Sequence, residues 1–197
     1  MNDRVDEWML LMDPAWRQAE ENEAPPLTAV VGLWPLGPQG SVGKFRSNPD
    51  YRPTDESSPS DPLDAVFRQL VRGSGEIEPV QGMLRDILLD VAMNGDGHPL
   101  ILPSPDGIAC VIVASSARYR ALRAAWDWRR VDLSQLVGLL TDGVDVLFNP
   151  GGPASLRLTA DFLRSTAAMS AEEAARLWSN TGDLDNIKVS TWQGFAP

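Results

Sequence analysis

The chain has 197 residues, 43% hydrophobic and 22% charged, so it can bury one sizeable core and is not a disordered polymer. Its net charge of -10 repels phosphate backbones and disfavours nucleic-acid partners. The single cysteine, Cys110, excludes an internal disulfide framework, and the acidic start with one short apolar run predicts neither a signal peptide nor membrane insertion. We therefore expect a cytoplasmic location.

Residues 1–54 are predicted to form a small N-terminal β annex and a connector. A strand over 8–12 ends at Asp13-Pro14, and a hairpin over 28–46 carries a loop rich in glycine and proline. The connector over 48–53 cannot be helical, because each proline pushes its predecessor into extended geometry. Four of its residues are predicted structural turn residues: Asn48, Pro49, Tyr51 and Pro53.

Residues 55–169 are predicted to form the main domain, which opens with two helices. Asp61 is the expected N-cap of the first helix, with Pro62 at its first position and Gly73 at its end. The second is expected over 79–91, because six apolar residues share one helical face. These six are Val80, Met83, Leu84, Ile87, Leu88 and Val91.

The rest of the chain is predicted to mix hairpins with helices. Strands are expected over 99–103, 108–113, 144–148 and 156–158, and helices over 117–126, 133–140 and 160–168. Asn149, Pro150 and Gly151 are expected to turn the chain between the last two strands. A C-terminal helix, opened by a capping box at Ser170, and a tail fill 170–197. The predicted fold class is α+β, a mixed sheet with helices preceded by a small N-terminal β-hairpin annex.

The sequence presents no catalytic, metal or cofactor constellation. His98 and Cys110 are the only residues of their types, so ligand sets for zinc, haem or iron–sulfur clusters and a serine triad cannot be assembled. The loop over 37–44 departs from phosphate-binding spacing, and the acidic cluster over 183–186 lacks the glycine and terminal carboxylate of a calcium loop. We expect no cofactor and no enzyme activity, while the 27 acidic residues leave a carboxylate-dependent enzyme open.

The most unusual segment runs from Arg118 to Arg130 and holds five arginines and three aromatic residues in an acidic chain. Tyr, Trp and Arg dominate binding hot spots, so the composition predicts a partner-binding surface. The alternative is internal packing, with aromatic residues at helical core spacing and arginines paired with the protein's own acids. The predicted partner-binding residues are Tyr119, Arg123, Trp126, Trp128 and Arg129.

Two stretches of the chain, within residues 28–165, resemble a known family. The first contains Trp34 to Gly43, Asn48 to Pro53 and Ser60 to Asp64; the second contains Asp106-Gly107, Val146 to Gly151 and Ser155 to Leu158. Together they resemble the actinobacterial type VII secretion system-associated proteins. The second stretch is similar to the SseB N-terminal domain, an α+β module in which an Asn-Pro-Gly turn joins two late strands. This chain departs from that module at Val113-Ala-Ser115 and after Met169.

The resemblance implies a cytoplasmic, non-enzymatic accessory protein, either an adaptor or chaperone-like. Its partner is expected to be another protein: a secretion component, a secreted substrate or a toxin. A second hypothesis is an immunity protein, because an acidic surface complements a basic toxin. The sequence leaves open the partner's identity, the oligomeric state, the packing of the annex on the main domain and the role of the C-terminal tail.

Overall fold

A computed structural model describes residues 7–17, 24–37, 45–73 and 77–179, and their fold is α+β. The annex contains a three-stranded antiparallel sheet in the order β1-β2-β3. The strands are β1 (Glu7–Met12), β2 (Val30–Leu36) and β3 (Arg46–Ser47). The predicted hairpin is therefore part of a larger sheet, in which the first strand also pairs with β2. Most of the loop that resembles a phosphate-binding loop, residues 38–44, lies outside the described residues.

The main sheet has six described strands in the order β7-β4-β6-β8-β9, and β5 pairs with β6. Strands β6 and β8 are parallel, and the other pairs are antiparallel. The strands are β4 (Leu89–Met93), β5 (Ile101–Pro103), β6 (Ala109–Ala114), β7 (Asp127–Val131), β8 (Asp145–Phe148) and β9 (Leu156–Leu158). The described part thus contains the predicted mixed sheet, with β7 and β9 at its edges.

The described helices begin and end largely where the capping signals predict. The helices are α1 (Pro62–Val71), α2 (Glu78–Asp86), α3 (Ala117–Ala121), α4 (Leu133–Leu139), α5 (Ala160–Ala168) and α6 (Ala171–Ser179). The Asp61 carboxylate accepts a hydrogen bond from the Asp64 amide at the start of α1. Ser170 and Glu173 form the predicted capping box of α6. None of the described helices has the length and apolar character needed to span a membrane.

The predicted helix over 79–91 is wrong in its second half. Helix α2 ends at Asp86, and Leu89–Met93 form strand β4 in the middle of the sheet. A central strand is apolar on both faces, so over a few residues its pattern coincides with that of a buried helix. Leu88, expected to face inward, is 56% exposed at the junction between the two elements.

The predicted helix over 117–126 is also too long. Helix α3 ends at Ala121, and β7 follows after a turn. Alanine and arginine favour helix locally, but pairing of β7 with β4 along five residues overrides that preference. Leu122, which helical spacing would place inside, is 49% exposed.

The two faces of the main sheet are covered differently. One face packs against α1, α2, α4 and α5 in the main apolar core, which includes Phe67, Leu136 and Phe148. The same core contains Leu11, Val31, Trp34 and Tyr51, so the annex packs on the main domain. On the other face, a small cluster of Ala92, Cys110, Ile112 and Leu147 is flanked by Leu100, Trp126 and Trp128. We call this second side the Trp face.

Candidate interaction site

A buried polar cluster joins the start of α1 to α3 and includes Tyr119, one of the predicted partner-binding residues. The fully buried Asp64 accepts hydrogen bonds from the Tyr119 hydroxyl at 2.6 Å, from the Ser60 amide at 2.8 Å and from Arg68 Nε at 3.1 Å. Burial, followed by Asp64, raises the pKa of Tyr119. Tyr119 is only 4% exposed and acts here as an internal hydrogen-bond donor.

Asp61 extends this cluster towards β6 and the Asn-Pro-Gly turn. Its carboxylate accepts hydrogen bonds from the Ser115 hydroxyl at 2.7 Å and the Ser60 hydroxyl at 2.9 Å. Asn149 binds Ser115 in turn, accepting from its amide and donating to its hydroxyl, each at 2.9 Å. Burial first, and then the Asp64 carboxylate, raise the pKa of Asp61 to about 6. The cluster therefore contains a carboxyl group that titrates in mildly acidic solution.

The predicted turn of Asn149, Pro150 and Gly151, between β8 and β9, holds this cluster in place. Asn149 has φ 51° and Gly151 has φ 83°, both in the left-handed region, with the partly buried Pro150 between them. The fully buried Asn149 is thus both a turn residue and a partner of Ser115. A methyl group placed at Gly151 would lie 3.2 Å from the Arg123 guanidinium, so this arginine lies against the turn.

Among the connector residues, Asn48 binds within the annex and Tyr51 links the annex to the main domain. Asn48 donates from Nδ2 to the carbonyls of Leu27 and Val30, at 2.7 and 2.8 Å. The Tyr51 hydroxyl lies 2.7 Å from the Pro59 carbonyl and 3.2 Å from a carboxylate oxygen of the buried Asp13. Pro49 and Pro53 are exposed.

An open groove of about 720 Å³ lies at the surface between the connector side of the annex and the main domain. Its wall on the annex side comes from the end of the hairpin and the connector, and its opposite wall from the starts of α1 and α3 and the ends of α2 and β7. The groove is lined by both apolar and charged side chains, among them Phe45, Pro53, Leu88, Arg118, Arg130 and Asp132. The segment of interest, 118–130, therefore borders this groove.

Two of the five arginines in that segment are paired internally. Asp90 on β4 is buried, and its two oxygens lie 3.1 Å from Arg120 Nε and 3.1 Å from Arg130 Nε. A buried carboxylate needs such partners, because removal from water disfavours its charge. Arg120 and Arg130 thus stabilise the fold, although the Arg130 side chain remains 58% exposed.

The two predicted tryptophans pack on the Trp face. The Trp126 and Trp128 rings lie 6.0 Å apart, and both pack against the small apolar cluster of that face. The Arg123 guanidinium lies 5.8 Å from the centre of the Trp126 ring, within cation–π range. Both tryptophans remain partly exposed, and Arg123 is exposed. These three predicted residues therefore lie together at the surface.

Arg129 lies on the opposite face of β7 from Trp128. It pairs across the sheet with Val91, whose side chain belongs to the main core, whereas Trp128 pairs with Ala92 of the Trp face. Arg118 and Arg129 are exposed, and neither forms an ion pair with another described residue. The five predicted residues are thus divided among the interior, the Trp face and the β7 edge.

The remaining sequence candidates for metal binding or catalysis are His98, Cys110 and the acidic cluster over 183–186. His98 lies exposed in the turn after β4, and Cys110 is fully buried, with burial raising the pKa of its thiol. The described residues contain no group of three or more His, Cys, Asp or Glu side chains placed to hold a metal ion. The acidic cluster over 183–186 lies outside the described residues.

Sequence reasoning missed Asp64 and Asp90, the two carboxylates that organise the segment. Their signal was an acid within an apolar run, Leu63 to Phe67 for one and Leu88 to Met93 for the other. An acid in such a run is expected to need buried partners.

No protein-family model, curated protein or solved structure matches this chain.

Proposed function

We propose that this chain is a non-enzymatic accessory protein that binds another protein through segment 118–130. The observation that carries the proposal is a local reversal of charge. The chain has a net charge of -10, yet this segment holds five arginines and a single acid, Asp127. Three of those arginines, Arg118, Arg123 and Arg129, are exposed and form no ion pair with any described residue.

The surroundings of these arginines support protein recognition. Trp126 and Trp128 lie at the surface beside Arg123, and partly exposed aromatic rings next to guanidinium groups are typical of binding hot spots. The net charge of the whole chain disfavours a nucleic-acid partner for the same arginines. A protein with an acidic, partly apolar surface complements this site best.

The cellular setting is proposed on the family resemblance alone. The likeness to type VII secretion system-associated proteins favours an adaptor or chaperone-like role towards a secretion component or secreted substrate in the cytoplasm. Neutralisation of a toxin is the competing role. Co-expression with the captured partner distinguishes the two, because only an immunity protein rescues growth from a toxic partner.

The test is capture of the partner from native cells with the full chain as bait, followed by binding of the purified partner. Two charge reversals are compared: Arg129→Glu in the segment, and Arg72→Glu, an exposed arginine at the C-terminal end of α1. We expect wild type and Arg72→Glu to bind the same protein equally, and Arg129→Glu to bind it about tenfold more weakly. Absence of any specific partner, or equal binding by all three baits, would contradict the proposal.

A further inference from the structure

Among the described residues, strand β7 lies at an edge of the sheet, and its outer backbone groups can pair with a further strand. In the described part of the chain, β7 pairs with β4 and with no other strand. An edge strand presents a row of unpaired N–H and C=O groups on its outer side. The direction of each group in β7 follows from the pairing of its neighbour β4.

The register identifies which backbone groups point outward. Met93 pairs with Asp127 on one side and bridges to Pro99 on the other. On the Pro99 side, the Leu100 amide donates to the Ala92 carbonyl at 2.8 Å. The backbone groups of Ala92 therefore point away from β7, and those of its partner Trp128 point away from β4.

Alternation along the strand extends this assignment. Arg130 lies two residues after Trp128, so its N–H and C=O also face the outer edge. The N–H and C=O groups of Asp127, Arg129 and Val131 point the other way and pair with β4. Neither Trp128 nor Arg130 forms a backbone hydrogen bond to another described residue on that outer side. Two residues thus offer two donors and two acceptors in a row.

Charge indicates what can occupy this edge. The exposed side chains beside these groups include Arg129 and Arg130, and Arg118 lines the groove at the end of the strand. A second copy of this chain, paired antiparallel with Arg129 opposite its own counterpart, would place two like charges directly opposite each other, which is destabilising. An extended segment with acidic side chains is favoured instead.

We infer that β7 receives an extended acidic segment of the partner protein by strand addition, with an apolar side chain of that segment beside Trp128. The inference rests on the proposed function and names how the partner binds. Backbone pairing holds the added strand, and Arg129, which forms no ion pair with a described residue, selects for acids on it. Beyond Arg130, the added segment continues into the groove between the annex and the main domain.

A direct test uses the full chain and a synthetic octapeptide of alternating glutamate and valine, with an otherwise identical lysine–valine peptide as control. Amide resonances of the labelled protein are followed during titration at low and high salt. We expect the largest shifts at Trp128 and Arg130 with the acidic peptide, and weaker binding at high salt. Equal binding of the lysine peptide, or shifts confined to other strands, would overturn the inference.

The backbone contribution is isolated by comparing Arg130→Pro with Arg130→Ala. Both variants remove the arginine side chain, but only proline removes the outward N–H, and proline is tolerated on an edge strand where its nitrogen faces away from the ladder. Loss of one such hydrogen bond is expected to weaken binding of the captured partner about 5- to 10-fold beyond the alanine variant. Circular dichroism of both variants checks that the fold is retained.

The outcomes separate this inference from the proposed function. If the captured partner binds Arg130→Pro and Arg130→Ala equally well, strand addition is wrong and protein binding stands. If the chain dimerises in sedimentation and Arg130→Pro abolishes the dimer, the edge serves a second copy and the inference is overturned. If no partner is captured, the proposed function fails, whatever the peptide shows.

Discussion

The two ends of segment 118–130 contain the same residue types but differ in how their side chains and backbone are paired within the fold. At the first end, Tyr119 donates to the buried Asp64 and Arg120 pairs with the buried Asp90. At the second end, Arg129 is exposed, and the backbone of Trp128 and Arg130 faces a free sheet edge. The difference teaches that a nearby buried carboxylate, rather than composition, decides whether an arginine or tyrosine is paired internally or left unpaired at the surface.

The largest expected effect comes from removing the carboxylate that holds the inner end. Asp64→Ala leaves Arg68, which is 7% exposed, without its ion pair and Tyr119 without its acceptor. Breaking a buried pair in this way costs about 3–5 kcal/mol. Urea denaturation measures the loss, with the exposed Asp142→Ala as the control that changes little. A loss for Asp64→Ala no larger than the control's would contradict the internal role of this cluster.

The pH dependence of stability tests the buried polar cluster that contains Asp61 and Asp64 and that holds the inner end of the segment. Because the folded-state pKa of Asp61, about 6, exceeds the usual value of 3.8, the folded chain binds more protons than the unfolded chain between these values. Asp61 therefore makes the free energy of unfolding fall as pH rises from about 4 to 6, by about 3 kcal/mol for a shift of this size.

Asp61→Asn removes the titrating group and retains a side-chain oxygen to cap α1. As pH rises through that window, we expect the free energy of unfolding of the variant to increase relative to that of wild type. Urea midpoints at several pH values measure it. Parallel curves for the two proteins would show that Asp61 does not titrate there.

Tyr119→Phe sharpens the contrast between the two ends. The change deletes one hydroxyl and leaves a buried oxygen of Asp64 without that donor, at a cost of about 1–3 kcal/mol. Affinity for the partner should remain within about twofold of wild type when measured on folded protein, because the hydroxyl points inward. Weakened binding without loss of stability would instead place Tyr119 at the interface.

The smallest expected effect on stability is that of Arg129→Ala. The side chain is exposed and forms no ion pair with a described residue, so the free energy of unfolding should change by less than about 0.5 kcal/mol. Binding of the partner should nevertheless weaken measurably. A stability loss as large as that of Tyr119→Phe would show that the outer end is structural as well.

The fold class and most element ends followed from local signals. Asp61, Pro62 and Gly73 delimit α1 as their capping roles predict, and the left-handed Asn149 and Gly151 turn the chain between β8 and β9. Such signals act within a few residues, so they can be recognised in one sequence.

The two misassigned regions share a physical cause. β4 and β7 pair with each other, and this pairing turns one apolar run and one alanine- and arginine-rich run into strands against their local preference. The candidate site depends on the same pairing, which sets the free edge and the place of Asp90. The composition of residues 118–130 marked the segment as a candidate, whereas its division into an inner and an outer end required the sheet register.

Native-state hydrogen exchange along β7, with and without the captured partner, tests the central claim most directly. In the free protein, the amides of Arg129 and Val131 should exchange slowly through their pairing with β4, and those of Trp128 and Arg130 should exchange fast. Binding by strand addition predicts that the partner selectively slows Trp128 and Arg130. Exchange at these two amides that the bound partner leaves unchanged would contradict the account.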